Sequence, residues 1–158
     1  LVGSEMCIRD SYTSEQLREM EFKYVGENVQ IAKNCTIIGL ENISLGDNIR
    51  IDGGVTLACA SGYLKIGSYV HISGGCHITC AGGVELSDFS GLSQGVRIYS
   101  GSDDYSGNSL TNPTLPKKYL NVTIKPVFIG RHVIIGSGSV KKFLSPSFEA
   151  FSTLGPPG

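Results

Sequence analysis

The stretch "IGSYVHISGGCHIT" (residues 66–79) contains the same six-residue pattern twice in succession. Each hexapeptide begins with an isoleucine and has a small or β-branched residue four positions later, Val70 in the first and Cys76 in the second. An α-helix would repeat its apolar positions about every 3.6 residues and an ordinary strand every 2, so neither fits this spacing. The pattern predicts short, flat strands that are joined by tight corners.

The same spacing continues through most of the chain as triplets of aliphatic residues, and a new triplet starts about every 20 residues. Three strands per repeat predict an all-β fold, a parallel β-helix whose coils stack on one another. One coil cannot fold alone, because each buried aliphatic contributes about 2 kcal/mol and ordering each residue costs about 1–2 kcal/mol. The predicted columns are Val25, Ile31 and Ile37; Leu45, Ile51 and Leu57; Ile66, Ile72 and Ile78; Leu86, Leu92 and Ile98; and Ile129 with Ile135.

One step of the repeat is too long, because the fourth triplet begins at Leu86 and the fifth begins only at Ile129. The excess predicts a long loop over about residues 101–123, inserted at a corner between two coils. The loop begins within "IYSGSDDYSG" (residues 98–107), which contains Asp103, Asp104 and Tyr105.

The two ends of the chain depart from the repeat. Residues 1–11 resemble a translated cloning adapter, so we expect residues 1–12 to lie outside the fold and the β-helix domain to span 13–140. Thr13 or Ser14, with Glu15 or Gln16 at the capping-box position, predicts a short leading helix. Lys141 falls on an inward position, where burying its charge would cost several kcal/mol. We therefore expect residues 141–158 to form an irregular tail, from a coding sequence that is truncated or shifted in frame.

Composition narrows the classes of partner and compartment. With 13 Lys and Arg against 14 Asp and Glu, the formal net charge of −1 does not favour nucleic acid. No apolar run approaches the about 20 residues of a membrane span. The five cysteines show no CxxC pairing and no secretory signal precedes them, which favours reduced thiols in the cytoplasm. Cys59 and Cys80 are expected to stack in the core about 4.8 Å apart.

The hexapeptides of residues 66–79, together with "IGRHVIIGSGSV" (residues 129–140), resemble the hexapeptide-repeat acyltransferases of the galactoside, maltose and surface-polysaccharide type. The resemblance covers roughly residues 13–140. It implies a left-handed parallel β-helix of about five coils and a homotrimer with active sites between neighbouring subunits. It also implies acetyl-CoA as co-substrate and an O- or N-acetyl transfer to a sugar, nucleotide sugar or polysaccharide unit. The inserted loop would reach across to a neighbouring subunit.

In that family a histidine near the start of the loop removes the proton from the acceptor, and its position falls on Asp103. Asp103 could itself be the base if burial raised its pKa, or it could orient a histidine from elsewhere. The alternative is that Asp103 and Asp104 only form a solvated Asx turn. Asp104 and Tyr105 are the candidate substrate-binding residues of the loop.

Two histidines are candidates for a catalytic role. His71 and His77 occupy the sixth positions of consecutive hexapeptides, so both are expected to point outward, from neighbouring faces of the third coil. His71 matches a position that lines the acceptor pocket in the galactoside-type enzymes. Simple surface exposure is the alternative for both.

The third histidine, His132, is expected to be structural, in a corner column with Phe89, Tyr69, Asn48 and Asn28. Coenzyme contacts in the family come largely from backbone amides and small side chains. In this chain Gly136, Ser137 and Gly138 are the candidate cofactor-binding residues.

Two other functions remain open from the sequence. The first is a non-catalytic trimeric scaffold or binding module that has lost its base at Asp103. The second is a γ-type carbonic anhydrase, which shares the coil and binds zinc through three histidines. The histidine spacing here does not match that family, so no metal site is predicted.

Overall fold

The computed structural model describes residues 10–143, and its main body is a three-sided parallel β-helix. Each coil contributes one strand to each of three sheets. Sheet B contains β2 Tyr24–Val25, β5 Ile43–Leu45, β8 Leu64–Ile66, β11 Val84–Leu86 and β16 Val127–Ile129. Sheet A contains β1 Ser11–Tyr12, β3 Val29–Ala32, β6 Ile49–Ile51, β9 Val70–Ile72, β12 Gly91–Leu92 and β17 Ile134–Ile135. Sheet C contains β4 Thr36–Ile38, β7 Thr56–Ala58, β10 His77–Thr79, β13 Arg97–Tyr99 and β18 Val140–Lys142.

The observed strand register confirms the predicted columns. Val25 pairs with Leu45, Leu45 with Ile66, Ile66 with Leu86, and Leu86 with Ile129. The columns that begin at residues 31 and 37 are also strand partners throughout. The predicted all-β parallel β-helix of about five coils is therefore correct.

The core is a continuous column of these aliphatics, and most are fully buried. Cys59 and Cys80 stack within it as predicted, with their Cα atoms 4.9 Å apart. The structure joins them as a disulfide, which corrects the expectation that both are free thiols. Cys35 and Cys76 are free, and burial raises the pKa of both thiols. Equivalent residues of adjacent coils lie as far apart as neighbouring strands of a sheet. Two cysteines at equivalent positions are therefore close enough to form a disulfide.

The corner between sheets B and A is built from a column of non-glycine residues with φ between 54° and 60°. Neighbouring rings in this column are stacked, with centroids 5.0 Å apart in both contacts. The predicted column is therefore confirmed, although aromatic residues occupy positions where glycine or asparagine would be less strained. The column consists of Asn28, Asn48, Tyr69, Phe89 and His132.

A short helix, α1 (Ser14–Arg18), covers the first coil. Thr13 is its N-cap and forms a capping box with Gln16, as the sequence predicts. Before the helix, Ser11 and Tyr12 pair antiparallel with β3. The fold thus begins before residue 13, because the edge of β3 is open to a further strand.

The inserted loop leaves the prism after β13 and returns at β16. Its base is an antiparallel hairpin of β14 Gly101–Asp103 and β15 Val122–Ile124. Two 3-10 helices, Leu40–Asn42 and Lys117–Tyr119, complete the elements. The insertion predicted at about residues 101–123 is confirmed. None of the helices in the described part of the chain has the length and hydrophobicity to cross a membrane.

The last described strand corrects one boundary. Lys141 and Lys142 belong to β18, and Lys141 pairs with Ile98 of β13. The irregular tail expected from residue 141 therefore does not begin there, and residues 144–158 lie outside the described residues. Lys141 is only half-buried in this last described coil, so its charged end need not enter the core.

Candidate active site

The edge between sheets A and C carries several of the candidate residues. We call residues 52–54, 73–75, 93–95 and 136–138 the A–C edge, because they connect the two sheets in successive coils. The backbone N–H groups of Asp52, Ser73 and Ser93 each donate to a carbonyl of the next coil at 2.9 Å. These side chains therefore form a column at this edge.

Glycines leave the backbone of the A–C edge uncovered. Gly54, Gly75, Gly95 and Gly138 have φ between 70° and 73°, where L side chains are strained. No atom would lie within 4 Å of a Cβ added at Gly75, Gly95 or Gly138. The space beside this backbone is open.

The predicted cofactor-binding residues Gly136, Ser137 and Gly138 lie at the top of this edge and are exposed. The N–H of Gly138 already donates to the carbonyl of Gln94 at 3.0 Å. The bare edge offers an extended chain such as pantetheine a surface without bulky side chains. The residues present therefore fit the coenzyme that the sequence implies.

His71 lies on the outward face of β9, beside the same edge, and its side chain is 52% exposed. Its strand partner in the coil below is Arg50. The Nε2 atom of His71 is 2.8 Å from Oδ2 of Asp52, and the Nε–H of Arg50 donates to Oδ1 of Asp52 at 2.7 Å. One carboxylate thus bridges a guanidinium and an imidazole.

Two opposing influences act on the carboxyl of Asp52. Partial burial is the largest and raises the pKa of Asp52, but hydrogen bonds and charges from His71 and Arg50 together outweigh it. The net pKa of Asp52 lies below its ordinary value, so the group is an anion at neutral pH. No motif within a single hexapeptide singles out Asp52. The register alone places Asp52 diagonal to His71, since Arg50 is the direct partner and Asp52 is two residues further on the same side.

A groove of about 780 Å³ runs beside Asp52, along the lower coils of sheet A and the A–C edge. This volume is within the range of about 300–1,000 Å³ that is usual for ligand pockets. Polar and charged side chains line much of it, including Gln30, Lys33, Arg50 and Gln94.

His77 lies elsewhere, on the outward face of sheet C between Thr56 and Arg97. Its ring centroid is 5.9 Å from that of Tyr99. His71 is on sheet A, so the structure does not bring the two predicted catalytic histidines together within one chain. Among residues 10–143, no group of three His, Cys, Asp or Glu side chains is placed to hold a metal ion.

Asp103 is the last residue of β14, opposite Val122 in the hairpin, and is half-buried. It lines a cavity of about 400 Å³, together with Tyr105, Thr123 and Lys125. Tyr105 is 74% exposed.

The carboxylate of the next residue, Asp104, forms hydrogen bonds within the loop. Its Oδ1 accepts from the N–H of Ser106 at 2.9 Å, which is an Asx turn, and its Oδ2 accepts from Asn121 at 3.1 Å. Hydrogen bonds from the side chain and backbone of Ser106, then from Asn121, lower the pKa of Asp104 to about 2. Asp104 is therefore a structural anion and a poor base.

The two groups of candidate residues lie at opposite ends of sheet C. The chain enters β13 from the A–C edge and leaves it into the loop that carries Asp103. The width of sheet C therefore separates Asp103 from Ser93 and His71 in a single chain.

Known proteins resemble this chain over most of its length. The chain is 45% identical over 125 residues to the Escherichia coli enzyme dTDP-4-amino-4,6-dideoxy-D-glucose acyltransferase, covering 79% of this chain and 65% of that enzyme. It also matches solved structures of AntD, an N-acyltransferase from Bacillus cereus. One of these, with dTDP and 3-hydroxybutyryl-CoA bound, is 39% identical, with a TM-score of 0.78 over 84% of this chain and 70% of that chain.

The chain belongs to the hexapeptide-repeat acyltransferases. Members of this family fold as left-handed parallel β-helices, which agrees with the predicted fold class. A second AntD structure contains dTDP-4-amino-4,6-dideoxyglucose and Coenzyme A, and is 38% identical with a TM-score of 0.79. The chain spans about two thirds of the length of these relatives. No protein-family model matches it.

Proposed function

We propose that the protein is an acyl-CoA-dependent N-acyltransferase and that its acceptor is the amino group of a dTDP-linked 4-amino-4,6-dideoxy sugar. The observation that carries the proposal is the 45% identity to the Escherichia coli enzyme that acylates this acceptor. This is narrower than the sequence prediction, which left O- and N-transfer and several sugar acceptors open. The cytoplasm is the proposed location; the free thiols of Cys35 and Cys76 favour it, whereas the Cys59–Cys80 disulfide is unusual in that compartment.

We further propose that the active site is shared between subunits of a homotrimer. The crystallised AntD variants change an aspartate and a serine ten residues before it. In this chain only Ser93 and Asp103 form a Ser–Asp pair with that spacing. Because these two residues lie at opposite ends of sheet C, the loop of one subunit would bring Asp103 to the A–C edge of its neighbour.

The chemistry follows from these positions. The acceptor nitrogen attacks the thioester carbonyl carbon, the new C–N bond forms, and the C–S bond breaks to release the thiol. Asp103 is the proposed proton acceptor for the attacking amine, and the backbone at Gly136, Ser137 and Gly138 would hold the coenzyme. Tyr105 would contact the acceptor from the exposed face of the loop.

The remaining candidate residues have other proposed roles. Asp104 would support the loop turn that presents Tyr105. His71 lies beside the A–C edge, where it can accept a proton. His77, on the outward face of sheet C, would contact the bound acceptor between the two edges.

A thiol-release assay tests this function. The protein is given acetyl-CoA or 3-hydroxybutyryl-CoA with dTDP-4-amino-4,6-dideoxyglucose, dTDP-glucose or the unlinked amino sugar. We expect acceptor-dependent CoA release with the dTDP-linked amino sugar alone. Transfer to the hydroxyl sugar at a similar rate would contradict N-acylation. A stable trimer with no turnover for any pair would instead favour the scaffold alternative.

Subunit complementation tests the shared site. Asp103→Asn and Ser93→Ala chains are each expected to be impaired, but a mixed trimer places a wild-type loop against a wild-type edge at about one of its three sites, which is about a quarter of all sites after random assembly. Activity should therefore reappear when the two variants are unfolded and refolded together. If mixing restores nothing while sedimentation shows mixed trimers, the two residues do not act at a shared site.

A further inference from the structure

We infer that Asp52 is a positioning residue that holds the imidazole of His71 in the tautomer with its proton on Nε2, leaving Nδ1 as a proton acceptor. The role of this acceptor in acyl transfer rests on the proposed function. The tautomer of the His71 ring is argued only from the contacts of Asp52. The sequence pattern did not reveal these contacts.

The contacts hold the carboxylate from both sides. Oδ2 of Asp52 is 2.8 Å from Nε2 of His71, and Oδ1 accepts from Arg50 at 2.7 Å. Since each oxygen has its own partner, the carboxylate cannot rotate without losing one of the two contacts. Asp52 is also fixed through its backbone, because its N–H donates to the carbonyl of Ile72, the residue after His71.

The charge on Asp52 decides the tautomer. An ionised carboxylate has only acceptor positions, so the ring nitrogen beside it must carry the hydrogen. A neutral imidazole has one N–H, and the other nitrogen is then a bare acceptor. The lowered pKa of Asp52 keeps the carboxylate charged at neutral pH. Nε2 is therefore the donor and Nδ1 is the free base.

Among residues 10–143, few other charged side chains lie beside the ring. Arg50 on β6 is its strand partner below, and the partner above on β12 is Gly91, which has no side chain. Lys33 and Asp10 are further down the groove, beside the first coil. His71 thus lies where the polar lower part of sheet A meets the bare backbone of the upper coils.

This position matches a requirement of amine acylation. An amino sugar enters as an ammonium ion and leaves as an amide, so its nitrogen loses two protons in all. One proton goes to the leaving thiolate as the C–S bond breaks, and the other goes to solvent. Asp103 can accept one of them and Nδ1 of His71 the other, so that the ammonium becomes a nucleophile without waiting for bulk water.

The ring state is measured by NMR on the full chain with ¹⁵N-labelled histidine and no substrate. The signals of His71, His77 and His132 are assigned from single His→Gln variants. At mildly alkaline pH we expect His71 to be a single Nε2–H tautomer, and Asp52→Ala to turn it into a mixture. Glu85→Gln is the matched control, because it neutralises an outward, hydrogen-bonded carboxylate on sheet B. An Nδ1–H tautomer in the wild type, or no change in Asp52→Ala, overturns the inference.

Kinetics test the consequence for the reaction. Asp52→Asn is expected to lower kcat about tenfold or more while the KM for acyl-CoA stays the same. His71→Gln should lower kcat by about 10²-fold, and adding Asp52→Asn to it should cost nothing further, because the two act as a unit. An unchanged kcat in Asp52→Asn overturns the role in catalysis. If no acceptor is acylated at all, the proposed function fails, while the NMR result still decides the role of Asp52.

Discussion

At the scale of single residues, the corner between sheets B and A shows how ring stacking compensates for backbone strain. Tyr69, Phe89 and His132 all have φ near 60°, where a side chain with a Cβ is disfavoured by about 1–2 kcal/mol. The ring of Phe89 lies between the other two, with near-parallel planes at 9° and 11°. Each aromatic contact of this kind is worth about 0.5–1.5 kcal/mol. The rings therefore offset the conformational cost that they impose.

This balance predicts a difference between two substitutions at Phe89. Phe89→Ala removes both ring contacts and keeps a disfavoured conformation, so we expect it to lower the free energy of unfolding by about 1–3 kcal/mol. Phe89→Asn removes the same contacts, but asparagine tolerates positive φ better, so its loss should be smaller by about 1 kcal/mol. Urea unfolding of both variants measures the difference. Equal losses would mean that backbone strain at this corner is negligible.

At the scale of elements, the inserted loop is organised by Asp104. Its carboxylate joins the turn at Ser106 to Asn121 on the returning strand. Hydrogen bonds to the charged form lower the pKa of Asp104 from 3.8 to about 2. The stabilisation of the turn is therefore complete above the ordinary pKa and is lost as the pH falls towards about 2.

A carboxyl titration by NMR checks this expectation. Asp104 should titrate near pH 2, and Ser106→Ala should move its midpoint up towards 3.8, because Ser106 provides the largest contributions. Asn121→Ala should cause a smaller upward shift. A wild-type midpoint near 3.8 would show that the turn does not hold the carboxylate in solution.

The elements also show how far the sequence predicts this fold. The regular strands follow from the six-residue register, because each aliphatic has one buried position to occupy. Strand β1 was not predicted, since Ser11 and Tyr12 carry no apolar period and pair only because β3 leaves an open edge. Strand β18 was excluded on account of Lys141. The strand nevertheless accommodates Lys141, because its side chain lies in the last described coil and is only half-buried.

The candidate site was harder to predict than the fold. Register alone places His71 outward on sheet A and Gly136–Gly138 at a corner, and the structure shows both beside the same edge. Asp52 was missed because its partner is 19 residues away and belongs to the next coil. The contact joins residues that are offset by two positions in neighbouring strands of adjacent coils. The pattern within a single hexapeptide carries no sign of it.

At the scale of the whole molecule, the A–C edge predicts where coenzyme binding can be blocked. Ser137 is exposed at this edge, and Ser137→Trp would place a large ring over the open backbone. We expect the KM for acyl-CoA to rise about tenfold or more, because a loss of about 1.4 kcal/mol of binding free energy weakens binding tenfold. The thermal unfolding midpoint should not change.

The matched control is Ser61→Trp, which adds the same ring at an exposed corner between sheets C and B. It should leave the KM for acyl-CoA unchanged. If both variants raise the KM equally, or neither does, the coenzyme does not run along the A–C edge.

The hairpin at the base of the inserted loop has a consequence for how such proteins diversify. Because β14 and β15 pair where the loop leaves the β-helix, the two ends of the loop are held together whatever residues lie between them. Lengthening a loop with closed ends costs little, about 0.6 kcal/mol for each doubling. Its tip can therefore be exchanged during evolution while the stacked coils and the A–C edge are inherited unaltered.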